Sequence, residues 1–356
     1  MTASPLLCRL DRIRRSMPET PVVQLEHDTL DLYAKLEFTN PNGSSKDRSA
    51  YWMLKRAVER GDITERTTVV ESSSGNLAVS MASLCRALGV NFVPVIDPNC
   101  NATTETYLRS VCDRVEKVTE RDATGGFLNT RLAKVASLRE SMESVYWPNQ
   151  YANTDAIMAH YRLTGGELVR RFRKIDYIFV GTSTGGTIGG LSLRLKEAYP
   201  GIKVIAVDAE GSAIFGQQPK KRLIPGLGSS IVPPLFSHAL IDEVVSVPER
   251  DTVHGCHQLL RQHGIYAGGS SGTVYTAITS YFEGYHGPRP TVAFLCADRG
   301  TAYVNTVYNE DWAAQLSEGD TTSQVSTVEL PASASSVSAA AEAEAEAAQR
   351  LDVVPA

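Results

Sequence analysis

The stretch PNGSSKDR, Pro41 to Arg48, puts a lysine at a position that disfavours a cation. Pro41, Asn42 and Gly43 spell a turn, Ser44 and Ser45 are candidate N-caps, and SAYWMLKRAVER then runs with helical spacing to a stop at Gly61. Lys46 therefore falls in a first helical turn, where the macrodipole opposes a positive charge by about 0.3–1 kcal/mol. Such surroundings suit an amine used without its proton, because desolvation beside a helix N-terminus lowers a lysine's pKa.

Outward from this turn the chain alternates between two periodicities. PVVQLEH and LYAKLEF read as an N-terminal pair of strands; TTVVE, VNFVPVID, KIDYIFV, IKVIAVD, DEVVSV and TVAFLC read as further, largely apolar strands. Between them lie helical patterns through NLAVSMASLCRALG, TETYLRSV, the residues up to Tyr199, HQLLRQHG and the segment after GGSSG. This is α/β alternation. It predicts two lobes, each a twisted, mostly parallel sheet flanked by helices, with ligands held where strand ends meet helix starts. The expected division is 1–45 as the N-terminal part of a large domain, 46–148 as a smaller mobile domain and 149–316 as the remainder of the large one. Residues 317–356, rich in Ser, Thr, Ala and Glu, are expected to be a disordered tail outside the fold.

Composition narrows the function. The 356 residues are 42% apolar and 21% charged, enough for a sizeable core, and the net charge of −5 with a pI of about 5.9 gives no basic field for nucleic acid or an acidic membrane surface. Cys8, Cys85, Cys100, Cys112, Cys256 and Cys296 form no CxxC pair, so neither a disulfide framework nor a zinc site is expected. No apolar run approaches the ~18 residues of a spanning helix. The expectation is a cytoplasmic protein acting on small molecules, without a metal.

Three loops carry the chemistry. ESSSGN, Glu71 to Asn76, joins a strand to a helix and gathers hydroxyls, a glycine and free N–H groups into a cradle suited to a carboxylate or phosphate; serine-rich helix caps share this look. GTSTGGTIGG, Gly181 to Gly190, follows a strand, and its glycines and hydroxyls suit a phosphate. It lacks both the P-loop lysine and GxGxxG spacing. AGGSSGT, Ala267 to Thr273, opens another helix, with Ser270 or Ser271 as its cap. Gly181 to Gly185 also fits GxSxG, a hydrolase elbow with Ser183 as nucleophile and Asp208 plus His254, His257 or His263 following in order. No HGGG-type oxyanion loop accompanies it, and that reading leaves PNGSSKDR and ESSSGN without a role. Taken together, an amine at a helix start, a hydroxyl cradle, a glycine/threonine loop and a late serine are the parts needed to hold pyridoxal phosphate.

In this order the motifs resemble those of fold-type II pyridoxal-phosphate enzymes, the cysteine synthase and cystathionine β-synthase family, over about residues 10–310, starting at TPVVQL (Thr20 to Leu25). The resemblance implies a two-lobed α/β fold like that of the tryptophan synthase β subunit, a homodimer, and pyridoxal 5'-phosphate carried by Lys46, the general base at the substrate's Cα. Asn76 would bond the cofactor's phenolic oxygen, Ser183, Thr184, Gly185, Gly186 and Thr187 its phosphate, and Ser270 would face its pyridine nitrogen. Ser72, Ser73, Ser74 and Gly75, with Gln150, would take the substrate carboxylate. A neutral serine at the ring nitrogen makes a weaker electron sink than an enforced pyridinium, which favours elimination of a β-leaving group over a long-lived carbanion.

Where cysteine synthases carry Phe and Gly, this chain has Tyr151 and Ser183, hydroxyls suited to phosphate as the leaving group. DATGGFLNTRLAKV, YWPNQYANTDA, VDAEGSAIFG, IPGLGSS and CADRG resemble another branch, the N-(2-amino-2-carboxyethyl)-L-glutamate synthases of 2,3-diaminopropionate and siderophore biosynthesis. That branch implies O-phospho-L-serine losing phosphate to give an α-aminoacrylate, which the amine of L-glutamate attacks. Arg131, after Gly125-Gly126, is the expected cation for a carboxylate. CADRG departs from the usual LPDRG, with Cys296-Ala297 where a proline is common. The alternative reaction is a cysteine synthase using sulfide with O-acetylserine or O-phosphoserine.

Overall fold

The computed structural model of the chain describes residues 5–123, 125–319 and 324–330. Its strands are β1 (Val22–Leu25), β2 (Asp31–Leu36), β3 (Thr68–Ser72), β4 (Asn91–Ile96), β5 (Glu116–Lys117), β6 (Val145–Tyr146), β7 (Tyr177–Gly181), β8 (Lys203–Ala209), β9 (Glu243–Val247), β10 (Thr291–Cys296) and β11 (Ser326–Glu329). Its helices are α1 (Pro5–Ser16), α2 (Lys46–Arg60), α3 (Asn76–Leu88), α4 (Ala102–Val111), α5 (Leu128–Ser141), α6 (Asp155–Ala159), α7 (Gly166–Arg171), α8 (Gly186–Ala198), α9 (Glu249–His263), α10 (Gly269–Tyr281) and α11 (Glu310–Gly319). Among the described residues no helix is long and apolar enough to cross a membrane.

The strands form two sheets. A 7-stranded sheet runs β1-β2-β10-β7-β8-β9-β11, parallel except at its edges, where β1 and β11 pair antiparallel with β2 and β9. A 4-stranded sheet, β5-β4-β3-β6, is parallel throughout. Parallel strands covered on both faces read as unbroken apolar runs, and β3, β9 and the interior of β10 are accordingly buried along their length. One core packs Phe179, Ile205, Val245 and Phe294 against one face of the large sheet; another packs Ile178, Val204 and Leu191 against the other. Residues of α1, α2 and α3 make a third core beneath the small sheet.

Two elements depart from the sequence reading. The start of the chain is helix α1, whose Leu6 and Leu10 are buried at one-turn spacing while its arginines stay at the surface. The tail expected from residue 317 onward supplies β11: Ser326–Glu329 pairs with β9 through its backbone, and all four side chains remain exposed. Edge pairing needs only main-chain groups and a β-branched stretch such as Ser-Thr-Val-Glu, not an apolar stripe. The rest of that tail, 320–323 and 331–356, lies outside the described residues.

A buried ionic cluster fixes α2 to the large sheet. Arg48 donates to Glu37 Oε2 and to Glu167 Oε1, each at 2.6 Å, and Lys35 Nζ lies 2.7 Å from Glu167 Oε2. Thr20 and Asn40 donate further hydrogen bonds to Glu37, so each of its carboxylate oxygens accepts two protein donors.

Candidate active site

A cavity of about 370 Å³ opens between the sheets, beyond the C-terminal ends of β3, β7 and β10. Its walls contain Lys46, Ser73, Ser74, Gly75, Asn76, Arg131, Gln150, Tyr151, Ser183, Thr184, Gly185, Thr187 and Ser270. Segments up to 224 residues apart in the chain thus converge on one space of a size usual for small-molecule sites. Ser72 and Gly186 do not line it. Ser72 ends β3, fully buried, and contributes only its carbonyl, which accepts from Gln150 Nε2 at 3.0 Å. Gly186 is packed against Ala156 as the first residue of α8.

The turn before α2 is held by the strand end opposite. Ser45 N–H donates to Ala297 O at 2.8 Å and Ser44 bridges Asp298, while Ser44 Oγ accepts the Lys46 N–H at 3.3 Å. Ser45 makes no side-chain cap, so of the two candidate caps Ser44 does that work. Lys46 has no hydrogen bond or ion pair to its amine among the described residues. Burial pushes its pKa down, and the Asp298 carboxylate opposes that push only in part.

Asn76 Nδ2 donates to Asp298 Oδ2 at 2.8 Å, and the Tyr303 hydroxyl donates to the same oxygen at 2.9 Å. The other oxygen, Oδ1, is buried without a partner. Gly268 makes room for it: a Cβ there would stand 2.1 Å from Oδ1. Beside the lysine, then, is a carboxylate with unused acceptor capacity, a group to which the sequence analysis gave no role.

On the glycine loop, Gly185 has φ +94°, and a Cβ would meet Leu235 Cβ and Phe236 Cδ2 at 3.1 Å. The helix α8 follows directly, so its first N–H groups, which have no intrahelical acceptors, start beside Ser183 and Thr184 at the cavity wall. Thr187 Oγ1 is also 3.2 Å from His160 Nε2, which lies 3.1 Å from Ser49 Oγ on α2. His160 opens a π-helical turn between α6 and α7, and burial, with Lys46 and Arg48 nearby, holds it neutral. It ties the helix of the lysine to the helix that follows the glycine loop. Gly185→Ala is expected to cost about 1–2 kcal/mol through the left-handed backbone alone; urea midpoints measure this, and equilibrium titration of the apoprotein with the cofactor should show weaker binding.

At AGGSSGT the two serines separate. Ser271 Oγ accepts the Ala297 N–H at 3.2 Å and is fully buried, whereas Ser270 lines the cavity. Across the space, Ser74 Oγ accepts from Asp97 N–H at 3.1 Å and from Arg131 Nη1 at 3.4 Å. Arg131 sits on α5 with Nε 3.1 Å from Asp97 Oδ2 and its side chain only 13% exposed, so it is a positioned guanidinium, not a solvated one. Asp97 and the neighbouring wall residues Asn99, Asn101 and Thr104 gave no local sequence signal. A second cleft, lined by Lys220, Trp312 and Leu316, has no such convergence: Lys220 is paired with Glu210 and no glycine-rich helix start faces it.

The fit to pyridoxal phosphate can be judged from these donors. An amine without a protein partner, a glycine-enforced cradle at a helix N-terminus with flanking hydroxyls, and a free serine hydroxyl match its aldehyde, phosphate and ring nitrogen. Fold and site together define a pyridoxal-phosphate-dependent enzyme. The chain belongs to the pyridoxal-phosphate dependent enzyme family, which it matches over residues 13–297. It is 39% identical over 312 residues to N-(2-amino-2-carboxyethyl)-L-glutamate synthase of Ralstonia nicotianae, spanning 86% of this chain and 92% of that protein. Among solved structures it resembles O-acetylserine dependent cystathionine β-synthase from Helicobacter pylori, with TM-score 0.77 and 25% identity over 83% of this chain and 98% of that one. A hydrogen sulfide-producing enzyme from Fusobacterium nucleatum gives TM-score 0.76 and 26% identity over 85% and 100%.

Proposed function

We propose that this enzyme joins O-phospho-L-serine to L-glutamate, releasing phosphate and forming N-(2-amino-2-carboxyethyl)-L-glutamate, the first step toward 2,3-diaminopropionate. The 39% identity to the Ralstonia nicotianae synthase across most of both chains carries this reading. The cavity supports it with groups suited to two anionic amino acids.

In this reading Lys46 carries the cofactor, Ser183, Thr184 and Thr187 with the start of α8 hold its phosphate, Asn76 meets its phenolic oxygen and Ser270 its ring nitrogen. When bound, the cofactor withdraws electrons from the substrate's Cα, so that the Cα proton and then the Cβ substituent can leave. Lys46 Nζ takes that proton, and its lowered pKa keeps the amine able to accept one. Ser73, Ser74, Gly75 and Gln150 hold the α-carboxylate and so aim the Cα–H bond. The Cβ–O bond of phosphoserine breaks, phosphate departs, the glutamate nitrogen bonds to Cβ, and a proton returns to Cα. Arg131 and Tyr151 receive the anionic groups. Asp97 already neutralises one edge of the guanidinium, which therefore selects by hydrogen-bond direction more than by net charge. Movement of residues 46–148 over the site would exclude water between the two half-reactions. We further propose a homodimer, which sedimentation would test.

Incubating the enzyme with phosphoserine and equal glutamate and sulfide, then weighing the products, should give the glutamate adduct; cysteine as main product would favour the sulfide reaction. Arg131→Lys should lower kcat/KM with phosphoserine and glutamate by about 10- to 100-fold, the worth of a charge-assisted bond of ~1.5–3 kcal/mol. Steady-state kinetics checks this.

A further inference from the structure

Glu71 lies behind the cavity wall, fully buried, at a place where a carboxylate is costly: burial pushes its pKa up to about 7. Its hydrogen bonds show what it does there. Oε1 accepts the Ser72 N–H at 2.8 Å and the Trp147 indole N–H at 3.1 Å, while Oε2 accepts the Gln150 N–H at 3.2 Å. One side chain thus joins the strand end that leads into Ser73–Gly75 to the loop that carries Gln150 and Tyr151. Gln150 returns the link through its amide to Ser72 O at 3.0 Å.

The loop needs such a link. Asn149, immediately before Gln150, is the one non-glycine residue with positive φ among the described residues, at +52°. A backbone held in that region persists only where its surroundings over-determine it. The donor that Glu71 engages is the very next N–H in the chain. Asn149 O meanwhile accepts from Ala152 and Asn153 N–H at 3.1 and 3.0 Å, closing the turn on its other side.

We propose that Glu71 is a positioning residue that holds the Asn149 turn in its strained form and thereby sets Gln150, Tyr151 and the serine loop at the spacing required to grip a substrate α-carboxylate. The proposal rests on the reading that this loop and Gln150 take that carboxylate. Glu71 does not line the cavity, so its removal acts through the loops it holds and on substrate affinity first.

The test compares Glu71→Gln, Trp147→Phe and Gln150→Ala in the holoenzyme, reading KM for phosphoserine, kcat and, separately, the dissociation constant of the cofactor. Glu71→Gln keeps the size but turns one acceptor into a donor facing an N–H. It should raise KM by about tenfold or more, consistent with leaving a buried donor unpaired, with kcat and cofactor affinity within about twofold. Trp147→Phe removes one donor and should show the same split at about two- to tenfold, the worth of one hydrogen bond, which keeps the test decisive if Glu71→Gln does not fold. Higher KM in Gln150→Ala with unchanged KM in the other two variants would overturn the role of Glu71 and leave the carboxylate site standing. Unchanged KM in all three would overturn the carboxylate site itself. Loss of cofactor affinity without a change in KM would also overturn the proposal, by showing a general structural role.

Discussion

Lys46→Ala is expected to lower turnover by at least about 10²–10⁴-fold, the usual worth of a positioned acid–base group, and to leave the purified protein without the visible absorbance of a lysine-bound cofactor. The expectation follows from the surroundings of the amine. A helix start and burial both disfavour its proton, and Asp298, the carboxylate that favours it, is partly occupied by Asn76 and Tyr303. Because the pKa of Lys46 lies below an ordinary lysine's 10.5, and its amine is free to titrate once substrate has taken its place on the cofactor, kcat should fall as pH drops through that lowered value. Among the described residues no hydrogen bond or ion pair uses the amine. Urea unfolding of the apoprotein should therefore show Lys46→Ala as stable as the parent, or more so.

Arg48→Ala, two residues along the same helix, should behave in the opposite way. It leaves Glu37 and Glu167 buried with one guanidinium gone, and breaking a buried pair by removing one partner costs about 3–5 kcal/mol. A lowered urea midpoint with unchanged slope would register this. The pH dependence has a definite sign. Burial pushes Glu37 up, but Arg48 and Lys35 outweigh it and hold its pKa below the usual 4.5. Its contribution to stability is thus present above about pH 4.5 and is lost as pH falls below that value; in Arg48→Ala most of this dependence should disappear. If Arg48→Ala unfolds at the parent's urea midpoint, the cluster is not what seats α2.

Much of the site was legible because its parts are local. A turn, two serines and a lysine before a periodic run announce α2, and strand–loop–helix junctions announce the cradles at Ser73 and Ser183. Those motifs need only neighbours along the chain. What could not be read were the partners supplied from afar. Asn76 meets Asp298 across 222 positions and Gln150 meets Glu71 across 79, with no residue pattern linking the members of either pair. His160 looks like any helical histidine until the fold brings Thr187 and Ser49 to its Nε2. Ser72 was expected at the substrate because it shares the run of serines, yet it is the last residue of the fully buried β3, and the loop that lines the cavity starts one residue later at Ser73. The edge strand Ser326–Glu329 escaped for a related reason: its pairing is all main chain, and composition reports side chains.

The proposed chemistry depends on which nitrogen the cofactor is bonded to. Borohydride reduction of the holoenzyme fixes the cofactor to the amine that carries it, and peptide mass mapping then locates the added mass. The result expected is one modified peptide with the label on Lys46. A label on another lysine, or an enzyme that gains no label and still converts phosphoserine and glutamate at full rate, would contradict it.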